Sequence, residues 1–221
     1  MKDFFTRTEV KYMMDEVTHR SLMADIIPHL VHDKYHHQRI HNVYYDNDTD
    51  DIIRHSISKP VFKEKLRARG YENLADETPT VKKTYMEIKR KYKGVVYKKR
   101  ESAASLDTLP DTKTAVEINF FVQKHKCYPK IYVGYDRFSY AALVETALRI
   151  TIDTNLRSRR NDLGLHSHES DVNYFDQPTF IMEVKTGYGY PNWLLRALSK
   201  HRIYPTSFSK YGKIFEKVAG A

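Results

Sequence analysis

Charged side chains recur every second residue inside runs that otherwise read as β-strands, and this period constrains the fold more than any other feature. The densest run is Lys63-Glu64-Lys65-Leu66-Arg67-Ala68-Arg69, in which Lys63, Lys65, Arg67 and Arg69 fall on one face. Successive side chains of a strand point to opposite faces, and same-face neighbours lie roughly 6.8 Å apart. The run therefore stacks cations in a row along one side of a sheet. One such row is a solvated face. Several suggest a surface that holds a long polyanion.

The chain has 221 residues, enough for one large domain or two small ones and for a real core. Its net charge of +9 favours a phosphate-rich partner or an anionic surface and says nothing about fold. Cys127 is the only cysteine, so no internal disulfide forms, which fits a reducing, cytoplasmic setting; it reads as a small buried hydrophobe. No apolar run approaches the ~20 residues of a membrane span, and Met1-Lys2-Asp3-Phe4-Phe5 lacks a signal stretch. The expectation is a cytoplasmic protein that reaches a membrane, if at all, through a separate membrane partner.

Along the chain, Thr8 to Tyr12 reads as a strand, and Asp15 is placed to cap a helix over about 16–30. Arg39 to Asp46 alternates again, and Asp48 is placed to cap a short helix through Ser56. Strands are predicted at about 60–71, 82–92 and 94–101, with Lys93-Gly94 as the last hairpin turn. The stretch 102–126 is predicted mainly helical, with strands at about 128–139 and 146–159, a polar loop over 160–176, and a strand over Phe180 to Tyr188. Pro191-Asn192-Trp193 opens a helix to about Lys200, and the chain ends in a short helix-like tail.

About eight strands interrupted by helices predict an α+β fold with a mainly antiparallel sheet. Charge on one face and apolar residues on the other suit an eight-stranded β-barrel with helices packed outside. Phe180, Met182 and Val184 oppose Ile181, Glu183 and Lys185, and Leu148, Ile150 and Ile152 oppose Arg149, Thr151 and Asp153. Periodicity alone leaves open which face is the inner one.

The same-face cations are Lys11, Lys63, Lys65, Arg67, Arg69, Lys89, Lys91, Lys98, Arg100, Arg137, Arg149, Arg157, Lys185 and Lys210. Such a surface suits triphosphate or polyphosphate, since Arg grips phosphate through a planar fork and Lys adds a mobile charge. The acids Glu9, Glu87, Asp153 and Glu183 accompany them. A carboxylate beside a phosphate is repulsive unless a divalent cation lies between, and Mg²⁺ or Mn²⁺ takes one or two carboxylates plus substrate phosphates. Glu9/Lys11, Glu87/Lys89 and Glu183/Lys185 each offer a metal ligand and a phosphate ligand side by side. Together they point to metal-dependent phosphoryl chemistry.

The ordered set Glu9-Val-Lys-Tyr12, Tyr44-Tyr-Asp46, Lys65-Leu-Arg-Ala-Arg-Gly-Tyr71, Glu87-Ile-Lys89, Lys98-Lys-Arg100, Tyr135-Asp-Arg137, Arg149-Ile-Thr-Ile-Asp153, Glu183-Val-Lys185 and Ser209-Lys-Tyr211 resembles the VTC domain. That is the catalytic domain of the vacuolar transporter chaperone polyphosphate polymerase, within the triphosphate tunnel metalloenzyme superfamily. The resemblance covers nearly the whole chain and implies a single domain, residues 1–221, with an antiparallel β-barrel tunnel that binds ATP and uses Mn²⁺ or Mg²⁺. The γ-phosphate of ATP would pass to a growing polyphosphate chain. Matching motif by motif, it implies phosphate-handling roles for Lys11, Arg67, Arg69, Lys89, Lys98, Arg137, Arg149, Lys185 and Lys210. Lys65, Lys91, Arg100, Tyr135 and Arg157 are further substrate-binding candidates. Glu183 would be the principal metal ligand, with Glu9 and Glu87 secondary.

The 221 residues hold neither the SPX regulatory domain nor the membrane part of the eukaryotic polymerase, so the resemblance is to stand-alone bacterial members. Position 7 is Arg7, so the Glu-x-Glu-x-Lys opening of the CYTH branch is missing. Triphosphatase activity, with water as the nucleophile, and non-catalytic polyphosphate binding are the alternatives. No specific nucleic-acid partner is expected, because the cations lack interleaved surface aromatics. The cluster His29, His32, His36, His37 and His41 reads as a solvated helix end and loop, and Trp193 as a helix anchor.

Overall fold

Asp15 ends the first strand and starts the first helix. In this computed structural model, which describes residues 8–93 and 95–219, β1 (Thr8–Asp15) leads into α1 (Glu16–Ile26). The Asp15 carboxylate accepts from the Thr18 N–H at 2.8 Å, satisfying one of the orphan donors of the first turn. Replacing Asp15 with alanine would cost about 1 kcal/mol. The helix stops sooner than its apolar pattern predicts: Pro28 brings in a single 3-10 turn over Ile27–His29, and Leu30 opens a 17-residue strand, β2 (Leu30–Asp46). The histidine-rich segment is therefore mostly strand, where a helix end and loop were predicted.

The order continues α2 (Asp51–Ile57), β3 (Phe62–Asn73), β4 (Val81–Tyr92), β5 (Val95–Glu101), α3 (Lys113–His125), β6 (Tyr128–Ala142) and β7 (Arg149–Arg159). It ends β8 (Val172–Asn173), β9 (Thr179–Thr186), α4 (Asn192–Lys200), β10 (Pro205–Thr206) and α5 (Lys210–Ala219). Asp48 does not cap α2. Asp46 does so instead, with its carboxylate accepting from the N–H groups of Ile52 and Ile53, both at 2.9 Å. Gly94 of the predicted Lys93-Gly94 turn lies outside the described residues, as do Arg7 and the first five residues; the flanking strands pair Tyr92 with Val95.

Two compact units form, and the chain passes repeatedly from one to the other. The first holds the described residues of 1–38, 135–155 and 175–208. Here β1 pairs β9 and β10, and β9 pairs β7, all antiparallel. Leu22 and Ile26 of α1, and Leu194 and Leu198 of α4, meet Ile150, Ile152, Met182 and Val184 in one core. The opposite face carries the cross-strand rows Glu9/Lys185/Arg149 and Lys11/Glu183/Thr151.

The second unit holds the described residues of 39–134, 156–174 and 209–221. β3, β4 and β5 form an antiparallel meander. Leu66, Met86 and Ile88 are at most 1% exposed and pack with Ile118 and Phe121 of α3 and with Cys127. Burying each is worth about 2 kcal/mol. The other face carries the rows Lys65/Lys89/Lys98 and Arg67/Glu87/Arg100. Within each unit, then, helices cover the apolar face and leave the charged face to the site.

The hydrogen-bonding order of the sheet is β10-β1-β9-β7-β6-β2-β3-β4-β5, with β8 added to β7. Among the described residues it has ten strands where about eight were predicted, because β8 and β10 are two-residue strands too short to show a period. No strand pairing closes the sheet into the predicted barrel: among the described residues β10 and β5 end the order unpaired with each other. The end strand β5 carries Lys98, Lys99 and Arg100 in series, a charge pattern that suits an edge. Among the described residues no helix is long and apolar enough to cross a membrane.

Candidate active site

In the second unit, neighbouring strands place Arg67 opposite Glu87, and Glu87 opposite Arg100. The Glu87 side chain is 1% exposed. Its Oε2 accepts from Arg67 Nε at 2.9 Å and Nη2 at 2.7 Å, with Arg69 Nε 3.8 Å away. Its Oε1 forms an ion pair with Lys98 Nζ, 2.5 Å away. Burial alone would raise the Glu87 carboxyl, but Arg67, Arg69 and Lys98 outweigh it and hold the group at about 2.

The cations around it feel one another. Burial, with Lys63, Lys89 and Arg67 nearby, pulls Lys65 down to about 8. Burial and the two arginines pull Lys98 to about 8 even though Glu87 opposes the shift. The Tyr44 hydroxyl accepts from Arg67 Nη1 at 3.0 Å, and its ring stacks on Tyr211, centroids 4.5 Å apart. Burial would raise the Tyr44 phenol, yet Arg67, Arg69 and Lys65 bring it to about 8. Arg69 Nε donates to Asn42 Oδ1 at 2.8 Å, while Asn42 Nδ2 donates to the Val133 carbonyl at 2.8 Å. Asn42 thus aims a buried arginine. Its position in the alternating Ile40–Asp46 run was the only sequence signal for it.

In the first unit, Glu9, Lys11, Glu183 and Lys185 form a square of alternating sign. Lys11 Nζ lies 4.0 Å from Glu9 and 3.4 Å from Glu183, and Lys185 Nζ lies 3.8 Å from Glu9 and 3.1 Å from Glu183. Lys11 also donates to the Phe208 carbonyl at 3.0 Å. Arg137 grips Asp153 with both ends of its fork, at 2.6 and 2.8 Å, and lies 4.0 Å from Glu183. The Arg137 guanidinium sits 5.3 Å from the Tyr135 ring centroid. Against its burial, Asp153, Tyr135 and Glu183 raise Arg137 well above the ordinary arginine value. Thr151, opposite Glu183 in register, has a buried hydroxyl with no hydrogen-bond partner. The sequence showed Thr151 inside the Arg149–Asp153 run but gave no signal of that orphaned oxygen.

The remaining candidates are spread along the same strands. Lys89 stands opposite Lys65 and Lys98, and Lys91 opposite Lys63. The Arg100 guanidinium lies 4.6 Å from the Tyr85 ring centroid. Arg149 is 55% exposed and pairs with Asp33 at 2.5 Å, and Arg157 lies 3.5 Å from Asp171, a carboxylate it shares with Arg159. Lys210 is the first residue of α5, just after Ser209, whose Oγ lies 3.5 Å from Lys65 Nζ.

Among the described residues no group of three or more His, Cys, Asp or Glu is placed to hold an ion. His32 and His36 stack on each other, His29 stacks on Trp193, and His41 is fully buried between Tyr132 and Glu72. His41 thus departs from the expected solvated cluster.

A hard divalent cation needs oxygen donors. Glu9 and Glu183 offer four carboxylate oxygens from adjacent strands, and the Thr151 hydroxyl lies opposite Glu183 with no other partner. That donor set fits Mg²⁺ or Mn²⁺ once substrate phosphates complete it. Glu87 is ringed by Arg67, Arg69 and Lys98, as Glu183 is by Lys11, Lys185 and Arg137, but it has no second carboxylate across the strands to share an ion with.

The PH1819 protein of Pyrococcus horikoshii OT3 has a similar fold, with a TM-score of 0.51 at 14% identity over 95% of this chain and 99% of that one. A Vibrio parahaemolyticus protein, described as a candidate adenylate cyclase, aligns with a TM-score of 0.48 at 10% identity over 97% and 98% of the two chains. Among curated proteins, none matches this sequence. The family model for the VTC domain matches residues 6–218. With motifs, paired charges and family model in agreement over nearly its full length, the chain belongs to the VTC domain family.

Proposed function

We propose that this protein is an ATP-dependent polyphosphate polymerase that transfers the γ-phosphate of ATP to a growing polyphosphate chain. The observation that carries the reading is Glu87, a buried carboxylate that holds Arg67, Arg69 and Lys98 together in a protein of the VTC family. The assembled cations suit the spread negative charge of a phosphoryl group in flight.

In this reading a terminal oxygen of the polyphosphate chain bonds to the γ-phosphorus. The bond from that phosphorus to the β–γ bridging oxygen breaks, and its electron pair leaves with ADP. The attacking oxygen is already ionised at neutral pH, so no general base is required. Arg67, Arg69, Lys65, Lys89, Lys91, Lys98 and Arg100 bind and align phosphates. Glu87 positions Arg67 and Lys98. Lys11, Lys185, Arg137 and Arg149 of the first unit, with Tyr135 packed on Arg137, and Lys210 and Arg157 of the second are further phosphate-binding residues. Glu9 and Glu183 would hold Mn²⁺ or Mg²⁺, which supplies charge neutralisation on phosphate oxygens when bound.

Incubation with ATP and Mn²⁺, followed by gel separation, tests the proposal. Long-chain product is the expected result. Orthophosphate alone would make the protein a triphosphatase, and no turnover beside tight tripolyphosphate binding would make it a binding module. Glu183→Ala is expected to abolish turnover while tripolyphosphate still binds.

A further inference from the structure

The β3–β4–β5 meander runs out from beneath its helix. Leu66 and Ile88 are covered by Ile118 and Phe121 of α3. Two rungs further along the same face, Phe62, Tyr92 and Val95 are cross-strand partners and are 41%, 47% and 51% exposed. Val61, just before β3, is also exposed at this end, and Val96 is exposed on the opposite face. Lys59 and Lys93 flank this end, Lys63 and Lys91 stand on the opposite face of the same strands, and none of the four has a carboxylate partner among the described residues. The nearest acid, Glu64, is already held by Arg90, Lys124 and His125.

We propose that this end of the meander docks the protein on an anionic lipid surface. A hydrated polyanion would serve the lysines and leave the valines and aromatics in water. An uncharged apolar partner would do the reverse. A bilayer rich in anionic headgroups serves both, with ammonium groups at the phosphates and rings and valines at the acyl boundary. A second copy paired along the edge strand would set Lys98, Lys99 and Arg100 against like charges.

Sedimentation of the whole chain with phosphatidylcholine vesicles, with and without phosphatidylglycerol, tests the inference in the presence of saturating tripolyphosphate. Binding is expected only to the anionic vesicles. It should fall about tenfold or more in Phe62→Ser/Tyr92→Ser/Val95→Ser and separately in Lys59→Glu/Lys93→Glu. A Tyr92→Trp reporter should shift its emission to the blue on the same vesicles. Three outcomes overturn the proposal: binding abolished by tripolyphosphate and untouched by the serine variant, which assigns it to the phosphate-binding cations; no vesicle binding; or self-association that the serine variant abolishes while vesicles have no effect. None of these readouts uses turnover, so they stand or fall apart from the polymerase reading.

Discussion

Arg67 gives two of its N–H donors to one oxygen of Glu87 and a third to the Tyr44 hydroxyl, so its guanidinium is fixed from two sides. A side chain held this way loses little freedom when a phosphate arrives. The anchor is a carboxylate almost fully removed from water, and its removal should be felt by every cation that shares it.

Glu87→Ala should therefore destabilise the protein by about 3 kcal/mol or more, the cost of leaving buried charge unpaired. The melting temperature should drop by about 10 °C. Tripolyphosphate should recover more stability in the variant than in the wild type, because it replaces the lost counter-charge. Equal shifts in the two proteins, measured by calorimetry, would show that the ligand does not reach these cations.

The pH response should differ between acid and base. Glu87 sits at about 2 in the folded protein against ~4.3 unfolded. The stability it contributes is complete above the unfolded value and lost as pH falls toward 2, a change on the order of 3 kcal/mol. Lys65 and Lys98 sit at about 8, below the usual lysine value, so holding them charged opposes folding below pH 8 and that opposition fades as pH rises. Their loss of charge should weaken tripolyphosphate binding from about pH 8 upward. Titration calorimetry on Lys65→Arg/Lys98→Arg should show the weakening displaced to higher pH.

Mn²⁺ should raise the melting temperature in the presence of tripolyphosphate. The increment should vanish in Glu183→Ala and shrink in Glu9→Ala. It should persist in Glu87→Ala, whose carboxylate is occupied by Arg67 and Lys98. A Mn²⁺ increment that survives Glu183→Ala would remove the metal from the Glu9–Glu183 pair.

Thr151→Val should be stabilising by about 1 kcal/mol in the absence of ligand, since it replaces a buried hydroxyl that has no partner. The same change should weaken Mn²⁺ binding if that oxygen serves the metal. Thermal unfolding with and without Mn²⁺ reads both effects from one variant.

Alternation made much of this legible in the sequence. The run around Arg67 and Arg69 announced its own strand and face, and the charged faces of β1, β7 and β9 followed from Glu9, Glu183 and Asp153. Partners across strands were less visible. That Glu87 would face Arg67, and Lys98 the same carboxylate, depends on register, which sequence spacing leaves open. Strand ends were also hidden: Pro28 explains where α1 stops, but the 17-residue length of β2 comes from pairing and not from a pattern in Val31–Gln38. Thr151 is the limiting case, because an unsatisfied hydroxyl exists only by virtue of what is not beside it.

The route of the chain has a consequence for anyone who would dissect it. It leaves one unit for the other after residues 38, 134, 155, 174 and 208. Neither unit is a continuous stretch of sequence, and β2, β6 and β7 each contribute residues to both. A cut near the middle of the chain, such as after Gly134, leaves both fragments missing pieces of both cores. Glu87 and Glu183 are therefore carried by units that must be transmitted, expressed and folded together, and neither can be lost, duplicated or exchanged as a cassette.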